Sequence, residues 1–186
     1  MAIKLYGGAR SRASIVQWYL EELGLAHEFI LLDMQAGEHR QPPLTDINPF
    51  GKVPAIEDGD FKLWESGAIL LYLDAKYGPE KTLEQRAIDQ QWVLFANSTV
   101  ATGIFVEANR EREAPRLLGG INDLLAKAPY ITGDTFGVAD VALGSILAYI
   151  PMMLKMDLSP YPAVAAYLQR LGDRPAFQKA IGGRSV

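Results

Sequence analysis

Between residues 48 and 73 the chain reads NPFGKVPAIEDGDFKLWESGAILLYL, and this one stretch leaves few folds open. Asn48-Pro49 and Phe50-Gly51 are turn chemistry: proline fixes φ, and glycine supplies the positive φ that brings the chain round. Val53-Pro54-Ala55-Ile56 is extended in character, but Pro54 has no N–H and cannot sit inside a fully paired strand. It belongs at a sheet edge or in a cis turn, an X-Pro bond being the one common place for a cis peptide. A cis bond would leave the N–H and C=O of Val53 to pair with an extended ligand. Glu57-Asp58-Gly59-Asp60 is a hairpin loop with Asp-Gly as its signal, and Phe61 to Trp64 is the returning strand. The helical spacing of Ala68, Ile69, Leu70, Tyr72 and Leu73 then places Ser66 at or near a helix N-cap.

A helix start offers unpaired N–H groups and the positive end of a dipole to a carboxylate. Glu65 beside it can hold an ammonium group. Together they complement the α-amino-acid end of a ligand, although Ser66 alone is also a plain cap.

Asn48-Pro49-Phe50-Gly51-Lys52-Val53-Pro54-Ala55-Ile56 followed by Glu65-Ser66 resembles the glutathione-binding signature of the glutathione S-transferase superfamily. The resemblance implies that Val53, before a cis Pro54, pairs with the cysteinyl unit of glutathione, and that Glu65 and Ser66 hold its γ-glutamyl end. Gly37-Glu38-His39-Arg40 resembles the GEHK of plant-type members, which implies that His39 and Arg40 meet the glycine carboxylate. Lys52, where the family often has Gln, is expected to contact the same tripeptide.

The chain has no cysteine, so no disulfide, cysteine metal site or cysteine nucleophile is available. Any reactive sulfur must arrive with the ligand, and the cysteine-dependent branches of the family are excluded. The resemblance is therefore to a compact, non-cysteine cytosolic member of bacterial or cyanobacterial kind. A net charge of −4 and the lack of a Lys/Arg cluster argue against nucleic-acid binding. No apolar run approaches a membrane span, and the N-terminus lacks a signal-peptide core, so a cytoplasmic location is expected. Arg10, Arg12, Arg40 and Lys52 all fall in predicted loops, as expected of loops that converge on an anion. One histidine without a partner gives no metal site.

In chain order, Ile3 to Tyr6 reads as a strand, Ala13 to Leu23 as a helix and Phe29 to Leu32 as a buried strand. With the hairpin and the helix from Ser66 to Tyr77 this gives an α/β thioredoxin-like domain, βαβαββα, over residues 1–77. A linker over 78–84 leads to an all-helical domain over 85–186. There, one long amphipathic helix is expected within Thr82 to Glu113, a shorter one from Pro115 to Lys127, and a central one from Val138 to about Met153. Two short helices follow, one of them Ala163 to Leu171. Gly137 stands where the family's second signature has a Ser or Thr cap; Asp140 can still reach back to its N–H, and Phe136 can staple against Val141.

A glutathione thiol must be ionised to attack, and lowering its pKa by one or two units takes about 1.4–2.7 kcal/mol of preferential stabilisation. The groups that supply this are expected after the first strand, in Tyr6-Gly7-Gly8-Ala9-Arg10-Ser11-Arg12. Ser11 aligns with the serine of plant-type branches, Tyr6 with the tyrosine of others, and Arg10 with the cysteine of cysteine-type branches. Ser11 as hydroxyl donor with Arg10 as cationic support is the favoured set, with Tyr6 as rival. The expected activity is glutathione transfer to a small apolar electrophile. That electrophile is expected between the domains, against the Gly7–Arg12 loop and the Asn97–Arg112 helix face. Glutathione is the expected cosubstrate, and a homodimer the expected assembly. A non-catalytic binding protein of the same fold, or a glutathione-dependent peroxidase or isomerase, is the alternative.

Overall fold

The computed structural model describes residues 2–182, and the chain divides into two units, Met1–Glu80 with Ala176–Val186 and Lys81–Pro175. In the first unit, β1 (Ile3–Gly7) is followed by α1 (Ala13–Glu22), β2 (His27–Leu31), β3 (Ala55–Asp58), β4 (Phe61–Trp64) and α2 (Ser66–Tyr77). The strands lie in the order β2-β1-β3-β4. β1 runs parallel to β2 and antiparallel to β3, with Tyr6 opposite Ala55. This is the mixed four-stranded sheet of a thioredoxin-like domain.

Alternation along β1 explains its two faces. Leu5 is fully buried, as are Ile15, Val16 and Leu20 of α1 and Ile69 and Leu73 of α2. Tyr6 turns to the opposite face and packs with Leu32, Leu44, Ile47 and Ala55. Between α1 and α2 the Tyr19 hydroxyl donates to the buried Asp74 carboxylate at 2.7 Å.

Three local features differ from the sequence reading. The second strand begins at His27, two residues before Phe29, and is not buried: its last residue, Leu31, is 62% exposed. β2 is an outer strand, and its exposure depends on what covers it rather than on its own hydropathy. The helix implied between β2 and β3 is replaced by two 3-10 turns, Glu38–Arg40 and Leu44–Asp46. Gly37 opens the first at φ +78°, and Pro42 and Pro43, which lack N–H groups, separate the two. In the hairpin, Asp58 pairs with Phe61, so Gly59 and Asp60 form the turn. Gly59, at φ +63°, takes the first central position, as in the Gly-X hairpin rather than the Asp-Gly one.

The chain returns to the first unit at its end. Phe177 stands edge-on to the buried Trp18, with ring centroids 4.9 Å apart. Lys179 pairs with Glu21 of α1 at 2.7 Å, and Ala180 and Ile181 are buried.

The second unit is helical. α3 (Leu83–Leu94) opens on a capping box between Thr82 and Gln85, then widens through a π turn, Phe95–Val100, into α4 (Ala101–Phe105). The expected unbroken helix stops there, because Val106 is extended at φ −82° and ψ 115°. Arg110 Nε donates to the Ile104 carbonyl at 2.7 Å and Asn109 Nδ2 to the Thr102 carbonyl at 3.3 Å, so side chains from the next helix satisfy the carbonyls of α4. α5 (Glu107–Leu125) then runs straight past Pro115, which was expected to open a helix of its own.

α6 (Val138–Tyr149), α7 (Pro162–Gly172) and the single turn α8 (Pro175–Phe177) complete the order. Asp140, fully buried, anchors the start of α6. Its carboxylate accepts from the Gly137 N–H at 2.9 Å, the Ile131 N–H at 2.9 Å and the Tyr167 hydroxyl at 2.9 Å. Burial pushes the carboxyl up from the usual range, against these three hydrogen bonds. Phe136 packs edge-on to Tyr130 and lies under the Arg174 guanidinium.

Candidate functional site

Asn48 builds the turn that starts the site. Its Nδ2 donates to the Lys52 carbonyl at 2.8 Å, while its Oδ1 accepts from the Phe50 N–H at 3.1 Å. Gly51 closes the turn at φ +59°, so near the 3-10 turn of Glu38–Arg40 that an added Cβ would stand 2.8 Å from the His39 carbonyl oxygen. Only glycine fits both the dihedral and the space. The Val53–Pro54 bond that follows is cis.

At the other side of the hairpin, Ser66 is the first residue of α2 rather than its cap. Glu65 precedes it at φ 74° and ψ 119°, and its carbonyl accepts the first helical bond, from the Ile69 N–H, at 2.9 Å. A non-glycine residue held at positive φ costs about 1–3 kcal/mol and persists where the surroundings over-determine it, often at ligand sites. Ser66 is buried and Glu65 is exposed.

These pieces meet in a cleft of about 220 Å³. Asn48, Lys52, Val53 and Pro54 form one wall, Glu65 and Ser66 another, and Arg12 from the start of α1 completes it. Five of the residues singled out in the sequence are therefore brought together. Arg12 and Asn48 were seen only as a loop cation and a turn residue. The cleft carries two cations, Arg12 and Lys52, against one carboxylate, Glu65. It has the charge pattern for a small zwitterion with a surplus of negative groups.

The Gly7–Arg12 segment is held by its serines. Ser11 Oγ accepts from the Gly8 N–H at 3.1 Å and the Ala13 N–H at 3.3 Å, and donates to the Gly8 carbonyl at 3.0 Å. Ser14 donates to the Ser11 carbonyl at 3.1 Å. Gly7 leaves no room for a side chain, since an added Cβ would run into Ala13 Cβ and the Phe29 ring, whereas one at Gly8 would displace the Met34 side chain. Arg10 is exposed, and among the described residues no hydrogen bond or ion pair engages it.

Tyr6 is brought elsewhere. It is buried on the far face of the sheet, where its hydroxyl donates to Glu57 Oε2 at 2.7 Å. Burial and the Glu57 carboxylate both push its ionisation far above the usual phenol range. This is the reverse of what a thiol-activating hydroxyl needs.

His39 and Arg40 lie in the 3-10 turn beneath Gly51, in a loop fixed by Asp33 and Glu38, whose carboxylate accepts from the Asp33 N–H at 2.7 Å. Arg40 is exposed, whereas His39 Nδ1 is enclosed and has no hydrogen-bond partner among the described residues. No group of three or more His, Cys, Asp or Glu side chains among the described residues is arranged to hold a metal ion. No helix among them is long and apolar enough to cross a membrane.

Comparison with known proteins places the chain among relatives of one kind. The family described as "Glutathione S-transferase, N-terminal domain" matches residues 1–75, and "Glutathione S-transferase, C-terminal domain" matches residues 106–170. Glutathione S-transferase 4 of Zea mays is 34% identical, with 96% of this chain and 91% of that one covered. A glutathione S-transferase of Hyoscyamus muticus is 31% identical over 97% of this chain and 98% of its own. Among solved structures, the glutathione transferase URE2P6 from Phanerochaete chrysosporium, in complex with oxidized glutathione, superposes with a TM-score of 0.84 at 29% identity, over 98% of this chain and 96% of that one.

Proposed function

The chain belongs to the glutathione S-transferase family, and from that membership we propose that the cleft between Val53 and Ser66 is its glutathione site and that Ser11 and Arg10 stabilise the thiolate. It is a glutathione transferase with glutathione as cosubstrate. The observation that carries the site assignment is the cleft itself, which gathers Lys52, Val53, Pro54, Glu65 and Ser66 around one small volume.

In this reading the cysteinyl unit of glutathione pairs with the backbone of Val53. Its ammonium meets Glu65, and the γ-glutamyl carboxylate meets Ser66 and the positive end of the α2 dipole. The glycine carboxylate lies toward His39, Arg40 and Lys52, which supports a use for the unpartnered His39 Nδ1. With the tripeptide fixed along its length, the sulfur is positioned rather than searched for.

Thiolate stabilisation falls to the Gly7–Arg12 segment. Two N–H groups already donate to Ser11 Oγ and so polarise its O–H, which turns from the Gly8 carbonyl to the sulfur when the ligand is bound. Arg10 remains protonated and adds its charge without acting as a base. Tyr6 is assigned to the sheet. The thiolate sulfur then bonds to the electrophilic carbon of a small apolar cosubstrate, displacing a halide ion from an aryl halide, or adding to the carbon of an isothiocyanate, whose nitrogen takes up a proton from water.

The protein works in the cytoplasm as a homodimer in this proposal. Phe50, 69% exposed and stacked edge-on over Trp64, supplies the first unit with an apolar knob suited to a second copy. Titrating the thiolate absorbance of glutathione in the presence of excess protein tests the chemistry. Bound glutathione is expected to ionise well below its free pKa of about 8.5, and Arg10→Ala to abolish the shift. Bound but unshifted glutathione would leave a non-catalytic binding protein.

A further inference from the structure

We propose that Met34 is an oxidation switch for the loop that carries Ser11: a hydroperoxide converts its thioether to the sulfoxide, the polar side chain leaves Gly8, and the loop loses its cover. The inference rests on the thiolate role given to Ser11 above. The chain has no cysteine, so its oxidisable sulfurs are those of its methionines. Met152, Met153 and Met156 lie in or just past the π turn Ile150–Leu154 of the second unit. Met34 lies in the first unit, on the segment after β2, and rests against Gly8. Its Cγ and Sδ stand 2.6 and 3.1 Å from where a Cβ on Gly8 would be.

That contact covers a working part of the site. Gly8 is buried although the next two residues, Ala9 and Arg10, are exposed. The Gly8 N–H and carbonyl both bond to Ser11 Oγ, and such bonds are weaker where water reaches them. The backbone on either side of Met34 is anchored. The Leu32 N–H donates to the Gly7 carbonyl at 2.9 Å, and the Asp33 carboxylate accepts from the Gln35 and Ala36 N–H groups at 2.8 and 2.9 Å. The response to oxidation therefore falls to the side chain. Met34 is 38% exposed, so a peroxide can approach it from solvent. The O–O bond of the hydroperoxide breaks, its terminal oxygen bonds to Sδ, and the hydrogen it carried leaves on the alcohol; the sulfur is oxidised by two electrons and the peroxide reduced by two. The sulfoxide is polar and leaves an apolar contact for water, and methionine sulfoxide reductases reverse the step.

The test treats the full chain with hydrogen peroxide, removes the peroxide by gel filtration and locates each sulfoxide by peptide mass spectrometry. It then measures kcat/KM and the pKa of bound glutathione, each protein against its own untreated sample. Oxidation of Met34 in the wild type is expected to lower kcat/KM by about 10-fold through a displaced hydroxyl and to move the pKa of bound glutathione toward the free value of about 8.5. The Kd for glutathione should stay within about threefold, because the cleft of Val53 and Ser66 is untouched. A methionine sulfoxide reductase should restore both rate and pKa. Replacing Met152, Met153 and Met156 together by Leu should leave the response as in wild type, whereas Met34→Leu, which fills a similar volume without an oxidisable sulfur, should abolish it. Met34→Gln, polar and of similar length, should show the lowered rate and the raised thiol pKa before any peroxide is added, and serves if the leucine variant does not fold. A wild-type response in Met34→Leu, a fully oxidised Met34 with rate and pKa unmoved, or a Met34 left unoxidised where Met152 and Met153 are converted overturns the switch. Untreated protein whose bound glutathione ionises no more readily than free glutathione defeats the thiolate reading itself; a shifted thiol indifferent to Met34 oxidation removes the switch alone.

Discussion

Ser11 and Gly8 bond each other twice: the Gly8 N–H donates to Ser11 Oγ at 3.1 Å, and Ser11 Oγ donates back to the Gly8 carbonyl at 3.0 Å. The candidate hydroxyl donor is thus also the clasp of its own loop. Ser11→Ala removes the clasp and the acceptor for the Ala13 N–H. It is expected to cost about 1 kcal/mol of stability, as for a lost helix cap, and to lower kcat/KM by about 10- to 100-fold if one hydrogen bond to the thiolate is lost. Denaturant melts and steady-state conjugation rates measure the two effects separately. A stability loss with unchanged kcat/KM would reduce Ser11 to the clasp alone.

Tyr6→Phe distinguishes the rival hydroxyl. Because the phenol is committed to Glu57, its removal is expected to cost about 1–3 kcal/mol of stability through the carboxylate left with one partner fewer. The pKa of bound glutathione should not move. Spectroscopic titration of the thiol in the variant decides the matter, and a thiol returned to its free pKa would restore Tyr6 as the activating group.

Gly51→Ala places a methyl against the His39 carbonyl at a backbone angle of φ +59°. The expected loss is about 1–3 kcal/mol of stability. The displaced turn carries Lys52 and Val53, so the affinity for glutathione should fall together with the melting temperature. Replacing Gly59, which has the same sign of φ but nothing within reach of a Cβ, should cost stability without touching affinity.

Asp58 gives the first unit an acid-sensitive joint. Burial raises its carboxyl, but hydrogen bonds from Lys76, Tyr72 and Tyr77, each reaching Asp58 Oδ2 at 2.7 Å, outweigh that and hold it below the ordinary carboxylate range. A carboxyl depressed in the folded state stabilises the protein above its unfolded pKa, and that contribution disappears as pH falls through the lower folded value. Asp58→Asn should therefore be less stable than wild type at pH 7, with the gap closing below about pH 4. Urea titrations of both proteins across that range check the sign; a gap that widens on acidification would be the wrong way round.

Much of the site was legible because its parts are local. NPFGKVP specifies a turn and a proline edge within seven residues, and Glu65-Ser66 sits directly before an apolar repeat. What stayed hidden depends on distant partners. Arg12 joins the cleft only because β1 and α1 bring it beside Ser66, and no spacing in the chain marks that. Glu65 rather than Ser66 precedes the helix because its backbone takes φ 74°, a conformation that sequence gives no reason to assign to a glutamate. The stop at Val106 escaped for a similar reason. Its apolar repeat continues on both sides, and the break is made good by Asn109 and Arg110 reaching back across it. Leu31 carries the hydropathy of a core residue, yet lies on a strand with a neighbour on one side only.

The return of the last turn onto α1 has a consequence for how the protein is made. Trp18 and Glu21 emerge from the ribosome well before Phe177, which packs on Trp18, and Lys179, which pairs with Glu21. The sheet and its two helices can pair during synthesis. The face of α1 that meets Phe177 and Lys179 stays uncovered until the intervening helical unit has been synthesised, so this contact closes only after the second unit is made.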